Sequence, residues 1–499
     1  MKTTTMHHIL GNKVLEYDVN DRGVIVDERE IDRTVNPKPN IADWVKEHMV
    51  FWYDMSKPVD TYSQNFNNWR SHPSVNADII ITSTSFIITR FAALNDTVKC
   101  YIPGQTKNFP GMKVEVKGIV DGQELYWGYS ANVKLVNITQ DGTYDIPPLE
   151  TVNGNLSFRN GNIVGACNIT ITQLPSGQSV PTNEILKANP YLQDHSGNNR
   201  PLKLNNFLFA AMSGVGGYDI SSTNILPDRA NVTVTDNRII HITKKLSTTD
   251  NMVNIVPSNS NPTHKFKVTG LSDGRQVSLV NRNGGFYTFD NGEHEVTLTY
   301  PEGTTSLYNA IGVTGDIGDM DVTIEFLPKY PNALVTDGVD DYGVVENFKS
   351  LQNYMMFFQC AITRPNTVNG MFSTTSIVSD TRGWMLLQGN SAYYVRFGNN
   401  VYKTFNVTSS IGNKISYVLS ANNELMTCYV GEEKATQAGT YSQTGANMSL
   451  FLSDIIRKTR FGSMAFYKSI LFDSVPTKET DGFTEQDLID YVLENLITK

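Results

Sequence analysis

The sequence predicts an all-β protein in which tandem β-sandwich modules precede a third β-rich region and a short C-terminal amphipathic helix. Short stretches that alternate β-branched and polar residues, such as VTIEF at 322–326, recur between clusters of Gly, Asn, Asp and Pro. This pattern is typical of antiparallel strands joined by turns. Only 18% of the 499 residues are charged and 40% are hydrophobic. At roughly 150 residues per domain, the length corresponds to about three domains.

An internal repeat predicts that the two sandwich modules share one topology. Three pairs of matching segments carry the repeat: 114–122 with 266–274, 141–146 with 291–296, and 168–175 with 321–328. The first pair places a strand before an Asp-Gly turn in each copy, as antiparallel hairpins often do. We therefore predict module 1 over residues 49–175 and module 2 over residues 202–328, separated by a linker over residues 176–201.

Residues 1–48 are predicted to form an N-terminal anchoring arm. The segment alternates apolar and charged residues up to two prolines, and Asn40 then caps a short helix. It has too few large apolar residues for a core of its own, so we expect an arm that becomes ordered on a partner surface; a flexible leader is the alternative. The candidate anchor contacts are Val14, Leu15, Tyr17, Val24, Ile25, Val26 and Trp44.

An aromatic cluster lies at the end of this arm. It consists of Trp44, Phe51, Trp52 and Tyr53. Large aromatic rings bury much apolar surface when they pack, so we expect the cluster to fasten the arm to the first sandwich module.

The region after residue 328 carries motifs of a different kind. They are TDGVDDY at 336–342, LMTCYVG at 425–431 and RFGSMAFYKSILF at 460–472. Through these motifs residues 329–476 resemble the laminin-G or concanavalin-like jelly roll, and the resemblance implies a lectin-like domain. The first motif is physically a tight turn at a strand end, where Gly338 is free to adopt positive φ.

Residues 483–498 are predicted to form the C-terminal amphipathic helix. Leu488, Val492 and Leu496 lie at helical spacing, Thr484 suits the N-cap, and acidic residues follow in the first turn. The apolar stripe has two alternative roles: it either packs on the jelly roll or joins protomers.

The segment around the predicted linker carries the motifs DHSGNN at 194–199, LNNF at 204–207 and SGVGGY at 213–218. These motifs are similar to segments of virion surface proteins of crAss-like phages, which infect Bacteroides. The resemblance implies a virion structural protein, either a head fibre or a capsid-surface decoration component, that assembles in the host cytoplasm. It also implies that residues 1–48 bind capsid or other virion proteins, that the chain forms a dimer or trimer, and that the jelly roll is displayed beyond the two sandwich modules to attach to a host glycan.

The absence of an export signal agrees with assembly in the cytoplasm. The first residues, MKTTTMHHILGNK, contain no apolar stretch before a small-residue cleavage site. A bacterial cell-surface lectin or adhesin is the alternative hypothesis, and it predicts such a signal or a lipid-anchor cysteine. A tail fibre or a glycan-active enzyme is the third.

Charge and hydropathy exclude two classes of partner. The 41 basic and 50 acidic residues give a net charge of -9, which repels phosphate backbones and argues against nucleic-acid binding. The sequence has no apolar run of the ~18 residues that a membrane helix requires, so we predict no membrane insertion.

The sequence predicts neither catalysis nor a cofactor. All eight histidines precede residue 295, so the third region cannot build a Ser-His or Cys-His nucleophile. We find no strand in the third region with the paired carboxylates that glycoside cleavage uses. Glu293 with Glu295 and Asp319 with Asp321 have i, i+2 spacing, but they lie in module 2, where we expect solvated faces. The four cysteines lie far apart, so neither a zinc site nor a disulfide scaffold is predicted.

Trp384, Tyr394 and Arg396 are the candidate glycan contacts in the third region. Aromatic faces and a bidentate donor suit the binding of a sugar ring. Packing of the same residues in the core is the alternative.

Asp337, Asp340 and Asp341 are the candidate ligands of a calcium ion, because carboxylate oxygens are the ligands that calcium prefers. Aspartates in a tight turn also cap backbone amides. We expect the capping role, and we predict no bound metal.

Overall fold

The computed structural model describes residues 3–10, 13–20, 25–31, 40–63, 66, 77–82, 84–91, 100–101, 107–130, 133–151, 156–218, 220–236, 238–257, 262–272, 274–281, 285–300, 309–348, 351, 353–364, 369–373, 384–388, 393–397, 401–405, 413–422, 425–430, 433–438, 447–454 and 459–498. Within these ranges the helices are α1 (Ile41–His48), α2 (Asn183–Ala188), α3 (Lys478–Asp481), α4 (Glu485–Val492) and a π-helical turn (Leu493–Ile497). None of the described helices combines the length and the apolar character that crossing a membrane demands.

The strands dominate the chain. The first half contains β1 (Thr3–Leu10), β2 (Lys13–Asn20), β3 (Ile25–Ile31), β4 (Met49–Asp54), β5 (Val59–Thr61), β6 (Ala77–Ile81), β7 (Ser85–Phe91), β8 (Cys100–Tyr101), β9 (Lys107–Phe109), β10 (Met112–Lys117), β11 (Leu125–Ser130), β12 (Val133–Ile138), β13 (Gly142–Ile146), β14 (Leu149–Thr151), β15 (Ser157–Asn160), β16 (Gly165–Gln173), β17 (Gly177–Ser179), β18 (Tyr191–Leu192), β19 (Leu202–Asn205), β20 (Gly214–Val215), β21 (Ile220–Ile225) and β22 (Ala230–Thr235). The second half contains β23 (Ile239–Lys245), β24 (Val253–Pro257), β25 (Thr263–Thr269), β26 (Val277–Asn281), β27 (Phe286–Phe289), β28 (Gly292–Thr297), β29 (Asn309–Val313), β30 (Gly318–Phe326), β31 (Leu334–Val335), β32 (Tyr342–Val345), β33 (Tyr354–Ile362), β34 (Asn369–Ser373), β35 (Trp384–Gln388), β36 (Tyr393–Phe397), β37 (Val401–Phe405), β38 (Ile415–Ala421), β39 (Leu425–Val430), β40 (Glu433–Ala438), β41 (Met448–Leu450), β42 (Leu452–Asp454), β43 (Thr459–Phe461) and β44 (Met464–Phe472).

The two sandwich modules repeat one sheet topology. Module 1 pairs a sheet of order β13-β10-β16-β7-β6 with one of order β12-β11-β15-β8. Module 2 pairs β28-β25-β30-β23-β22 with β21-β24-β29-β26-β27. Strand by strand the first sheets correspond, and each module buries its own separate hydrophobic cluster. The matching sequence segments therefore lie on equivalent strands.

The repeat extends to the turn that follows β10 in module 1 and β25 in module 2. Gly118 and Gly270 have φ angles of 91° and 86°, a conformation that only glycine adopts without strain. A Cβ would lie 1.9 Å from the carbonyl oxygen of Asn168 at the first position and 1.8 Å from that of Asp321 at the second. The backbone of both modules thus requires glycine at this place for the same two reasons.

The third unit is a jelly roll of two facing eight-stranded sheets. One sheet has the order β18-β19-β32-β41-β34-β35-β36-β37, and the other runs β20-β31-β44-β33-β38-β39-β40, with β4 also paired to β44. Side chains of both sheets meet in one buried cluster, to which Leu204 and Phe372 contribute from the first sheet and Phe51, Phe358 and Phe466 from the second. The chain is therefore all-β, with tandem sandwich modules, a jelly roll and a short C-terminal helix.

Both sandwich modules are inserted into the jelly roll rather than strung in front of it. The chain supplies β4 to the jelly roll, leaves through β5 to build module 1, and returns through β17, which pairs with β5. After β18, β19 and β20 it leaves again for module 2 and returns through β31, which pairs with β20. We call the β5–β17 pair stem 1 and the β20–β31 pair stem 2.

This connectivity corrects the predicted domain boundaries. Residues 49–61, predicted to open module 1, belong to the jelly roll and stem 1. The predicted linker 176–201 contains β17, α2 and β18, and residues 202–215 supply β19 and β20 to the jelly roll. Sequence periodicity identifies strands but not their partners, and here partners lie hundreds of residues apart, as in the pairing of β4 with β44.

The outer face of the sheet around β33 is covered by helices from both ends of the chain. Trp44 of α1 packs against Phe472 and Phe483, with ring centroids 5.6 and 5.9 Å apart. Leu488 and Val492 of α4 are buried in the same cluster. Because both faces of this sheet are covered, all nine residues of β33 are buried, and its sequence YMMFFQCAI is apolar except for Gln359. The stripe of α4 therefore packs within the chain.

The aromatic cluster serves the jelly roll and not the first sandwich, which corrects the expectation above. Phe51 and Tyr53 of β4 point into the jelly-roll core, where their rings stack 4.7 Å apart. Trp44 and Trp52 pack with the opposite, outer face. The N-terminal strands β1, β2 and β3 form a separate antiparallel sheet, so the predicted arm contains regular structure.

Candidate functional site

The candidate glycan contacts lie on adjacent strands of the jelly roll. Trp384 is on β35, and Tyr394 and Arg396 are on β36. The register pairs Arg396 with Met385, and Trp384 with Phe397. Trp384 is therefore one residue away from the position directly opposite Arg396. The side chains of these three residues fall outside the described part of the structure, and their contact with a glycan stays a prediction.

Five of the candidate anchor contacts lie on two strands of the N-terminal sheet. Val14, Leu15 and Tyr17 lie on β2, and Ile25 and Val26 lie on β3. Their side chains, and all of Val24, fall outside the described residues.

Trp44 differs from the other anchor candidates because its side chain is only 1% exposed. Its Nε1 donates a hydrogen bond to Asp481 Oδ1 at 3.2 Å. Trp44 therefore fastens α1 to the jelly roll and has no surface left for a partner, which corrects its assignment as an anchor contact.

The acidic turn after β31 is organised by its own backbone. Asp341 accepts hydrogen bonds from the Asp337 N–H at 2.9 Å and from Ser213 Oγ at 2.9 Å. Asp337 in turn accepts one from the Val339 N–H at 2.7 Å. Burial raises the pKa of Asp341 to about 8, and the neighbouring aspartates add to the rise against these hydrogen bonds. One oxygen each of Asp337, Asp340 and Asp341 lies within 4.8 Å of the others, but the contacts are those of amide capping.

A groove opens where stem 1 joins the jelly roll, and we call it the first junction groove. It has a volume of about 570 Å³, which lies in the range of small-molecule sites. A smaller cavity of about 190 Å³ adjoins it and shares several of its walls. The lining residues are Val59, Asp60, Tyr62, Thr82, Thr84, Ile185, Asn189, Tyr191, Gln193, Asp194, Gly197, Asn199 and Pro201.

One buried polar atom of this groove, the side-chain oxygen Oδ1 of Asn189, has no hydrogen-bond partner among the described residues. Folded proteins usually satisfy their buried polar groups. Tyr62, Tyr191, Thr84 and Asn199 also line the groove and carry hydroxyl or amide groups. A concave surface with two aromatic residues and several donors and acceptors is suited to a polyhydroxylated ligand.

The walls of the groove are held in place by a second set of polar groups. Gln193 Oε1 accepts the Asp60 N–H at 2.8 Å and so ties β18's loop to stem 1. Asp194 accepts backbone N–H groups of Trp52 and Arg200 at 2.9 and 3.0 Å. Burial raises the pKa of Tyr62, and Asp60 adds to the rise, so the phenol is neutral at physiological pH. The site is thus formed before any ligand arrives.

The two described carboxylates of the groove, Asp60 and Asp194, both accept hydrogen bonds. Asp60 Oδ1 accepts from Gln178 Nε2 at 3.1 Å, and Asp194 Oδ1 accepts the Trp52 N–H.

The groove was not predicted from the sequence, although the segment around Asp194 belongs to the motif DHSGNN. Tyr62 and Tyr191 are 129 positions apart by their numbers and meet only because stem 1 brings module 1 back to the jelly roll. No local signal marked the groove, because residues 189–199 have the Asn, Asp, Gly and Pro composition of an ordinary loop.

Comparison with known proteins gives structural likenesses alone. No family model matches the chain, and no curated protein matches it. Among solved structures, the Ruminococcus gnavus sialidase module CBM40 bound to α2,3-sialyllactose has 15% identity and a TM-score of 0.23, over 26% of this chain and 80% of that one. Mouse laminin α1 domains LG4-5 have 9% identity and a TM-score of 0.24, over 52% and 91%.

A third similar structure is the receptor-binding domain of botulinum neurotoxin mosaic serotype C/D. It has 10% identity and a TM-score of 0.26, over 61% of this chain and 49% of that one. The similar structures are thus carbohydrate-binding, laminin-G and receptor-binding domains. Identities and TM-scores this low assign no ligand or partner to this chain.

Proposed function

We propose that this chain is a glycan-binding surface protein whose first junction groove holds a neutral oligosaccharide. The observation that carries the proposal is the combination, in one groove, of two tyrosines, other hydroxyl and amide side chains, and the buried Asn189 Oδ1, which has no described partner. Tyrosine rings present apolar faces to the C–H groups of a sugar, while hydroxyls and amides exchange hydrogen bonds with its oxygens. The described lining carries no Lys, Arg or His, which favours an uncharged ligand.

We further propose that the protein belongs to the virion of a crAss-like phage, as a head fibre or capsid-surface decoration component. The sequence resemblance around residues 194–218 supports this setting. The N-terminal sheet β1–β3 supports it as well, because no described strand of another sheet pairs with it and it is connected to the jelly roll through α1. In this proposal that sheet binds a capsid or appendage protein, and the bacterial cell-surface lectin is the alternative.

The glycan-binding proposal is tested with the full chain on an array of neutral host surface oligosaccharides, followed by calorimetry on the best ligand. Tyr62→Ala and Tyr191→Ala should each weaken binding at least about tenfold, a loss of ~1.4 kcal/mol, because each removes one aromatic face. Tyr287→Ala is the matched control: it lies on β27 of module 2 and is 36% exposed.

The assignment of the glycan to the first junction groove is contradicted if all three variants bind the glycan with the same affinity as the wild type. Binding that is instead lost on substitution of Trp384 or Arg396 would move the site to β35 and β36 of the jelly roll.

The virion proposal is tested by complementing phage particles with a chain that lacks residues 1–39. This deletion keeps Asn40, whose side chain accepts the Asp43 N–H at 2.9 Å and caps α1, so the remainder should fold. We expect the truncated protein to be absent from purified particles by mass spectrometry. Tyr62→Ala is the reciprocal control, which should enter particles normally. Detection of the protein in uninfected Bacteroides envelopes would favour the cell-surface lectin.

A further inference from the structure

We infer that the glycan of the first junction groove carries an N-acetylated amino sugar, whose acetamido group enters the smaller cavity that adjoins the groove. This inference rests on the proposed function and narrows its ligand class. We call the smaller cavity the side cavity. Its volume of about 190 Å³ is below the range of about 300–1,000 Å³ that is usual for whole small-molecule sites. The side cavity therefore suits a substituent of a sugar rather than the sugar chain itself.

The groove and the side cavity share walls, so one ligand can occupy both. Tyr62, Thr84, Ile185 and Asn189 line the two spaces together, whereas Ala188 lines the side cavity and not the groove. A sugar that lies in the groove can therefore extend one substituent past the shared residues towards Ala188.

A buried oxygen in the shared wall requires a hydrogen-bond donor. Asn189 Oδ1 accepts no hydrogen bond from any described residue, and an unpaired buried acceptor is costly. The backbone of Asn189 is held at the end of α2, where its N–H donates to the Ile185 carbonyl oxygen at 2.9 Å. The N–H of an acetamido group supplies the missing donor.

The wall beside Asn189 is apolar. Ile185 and Ala188 are three residues apart on α2, and side chains at this spacing are neighbours on one face of a helix. The methyl group of an acetamido substituent can pack on these two side chains while its N–H reaches Asn189. A sugar hydroxyl also donates a hydrogen bond, but it brings no methyl group to this wall.

Two hydroxyl side chains of the lining can donate to the acetamido carbonyl oxygen. They belong to Thr84 and Tyr62. Burial raises the pKa of Tyr62, so its phenol keeps the proton that it would donate. The lining thus offers a partner to each of the three parts of an acetamido group: the N–H, the methyl group and the carbonyl oxygen.

The charged groups of the side cavity disfavour an ionic substituent. Its described lining contains no Lys, Arg or His, so a carboxylate or sulfate finds no counter-charge there. The two carboxylates, Asp60 and Glu184, are already hydrogen-bonded to Gln178 and to Asp236. A free ammonium group has to compete with these bonds.

The experiment compares three trisaccharides by calorimetry on the full chain. They are triacetylchitotriose, cellotriose and fully deacetylated chitotriose, which share one backbone and linkage and carry an acetamido, a hydroxyl or an ammonium group at C2. We expect triacetylchitotriose to bind at least about tenfold more tightly than either of the others, a difference of ~1.4 kcal/mol.

Variants of α2 place the acetamido group in the side cavity. Ala188→Trp fills the cavity without changing a residue of the groove, so it should abolish the preference for triacetylchitotriose and leave the binding of cellotriose unchanged. Lys187→Trp is the matched control, because it introduces the same side chain at the adjacent exposed position, which lines neither space. Asn189→Ala removes the acceptor and should reduce the preference at least about threefold, whereas Asn189→Asp keeps an oxygen there and should retain it.

The inference is overturned if cellotriose or the deacetylated trisaccharide binds as tightly as triacetylchitotriose, or if Lys187→Trp lowers the preference as much as Ala188→Trp does. If none of the three trisaccharides binds, the array of neutral oligosaccharides separates this inference from the proposed function. A best ligand without an acetamido sugar overturns the inference and keeps the glycan-binding proposal, and the absence of any ligand overturns both. A best ligand with an acetamido sugar in another linkage supports the inference if Ala188→Trp weakens its binding.

Discussion

The two sandwich modules share their strand order but differ in what they bury. At the end of β7 module 1 buries Phe91 opposite Gly165, and at the equivalent place on β23 module 2 buries Lys245 opposite Gly318. Both side chains are 0% exposed. Lys245 Nζ donates to Asp250 and to the carbonyl oxygens of Val313 and Gly315, the last two at 3.0 and 2.8 Å. One sandwich therefore closes this end with an aromatic ring and the other with a polar clamp.

This difference teaches that one topology accommodates different interiors. The turn glycines Gly118 and Gly270 are alike in both modules because steric conflict leaves no choice of residue. Some buried positions are alike as well, such as Val116 and Val268. Other interior positions tolerate different solutions, provided that volume is filled and every buried polar group is satisfied.

The largest expected effect tests the shared turn. Gly118→Ala and Gly270→Ala should each destabilise their own module by about 3–5 kcal/mol, because the new Cβ meets a backbone carbonyl oxygen at less than 2 Å and φ is unfavourable. Native-state hydrogen exchange of strands β10 and β25 measures each free energy separately.

Gly122→Ala and Gly274→Ala are the controls for this pair. Both glycines have positive φ, but a Cβ at either position meets nothing within 4 Å, so the cost should be only about 1 kcal/mol. A strongly unequal effect of Gly118→Ala and Gly270→Ala would refute the view that one backbone constraint governs both modules.

The next largest effect tests the interior difference. Lys245→Met should cost about 3 kcal/mol, at the lower end for a broken buried ion pair, because Asp250 is 32% exposed and regains water. Phe91→Met should cost about 1 kcal/mol, since it exchanges one large apolar side chain for another. Urea denaturation followed by hydrogen exchange in β7 and β23 gives the two values. Equal costs would indicate that the polar clamp contributes no more than ordinary packing.

The stability of stem 2 should depend on pH. Asp341 is hydrogen-bonded to Ser213, which precedes β20 of stem 2, and burial raises the pKa of Asp341 to about 8. A carboxyl whose pKa is raised on folding stabilises the fold below its unfolded pKa of about 3.9, and this stability is lost as pH rises towards 8.

Protection of β31 from hydrogen exchange should therefore decrease between about pH 4 and pH 8, by at most ~1.4 kcal/mol per pH unit, after correction for the intrinsic exchange rate. Asp341→Asn removes the titrating group and should flatten this dependence, while strands of module 1 serve as the internal reference. An unchanged pH dependence in Asp341→Asn would assign it to another group.

Much of the fold could be predicted from the sequence, because strand periodicity and the repeat are local signals. Residues 114–122 and 266–274 matched as predicted, and they lie on the equivalent strands β10 and β25. The insertion of both modules into the jelly roll could not be predicted, since nothing local in Met49–Asp54 specifies β44 as its partner. The first junction groove was missed for the same reason: its tyrosines come from segments that only the stem brings together.

The smallest expected effect refines the comparison of the two turns. Asp141 Oδ1 accepts the Ile119 N–H at 2.7 Å, and Asn291 Oδ1 accepts the equivalent Leu271 N–H at 3.0 Å. Asn291 Nδ2 also donates to the Leu271 carbonyl at 3.0 Å, a second bond that a carboxylate cannot make.

Asp141→Ala and Asn291→Ala should each cost about 1 kcal/mol, the usual net contribution of such hydrogen bonds. Asn291→Asp should cost about half of that, because it retains the bond to the Leu271 N–H and loses only the donor. Exchange rates of the Ile119 and Leu271 amides report each bond directly, since these are the N–H groups that the side chains accept. If Asn291→Asp cost as much as Asn291→Ala, the donated bond would be the dominant one in module 2, and the two turns would be held by different atoms despite their common backbone.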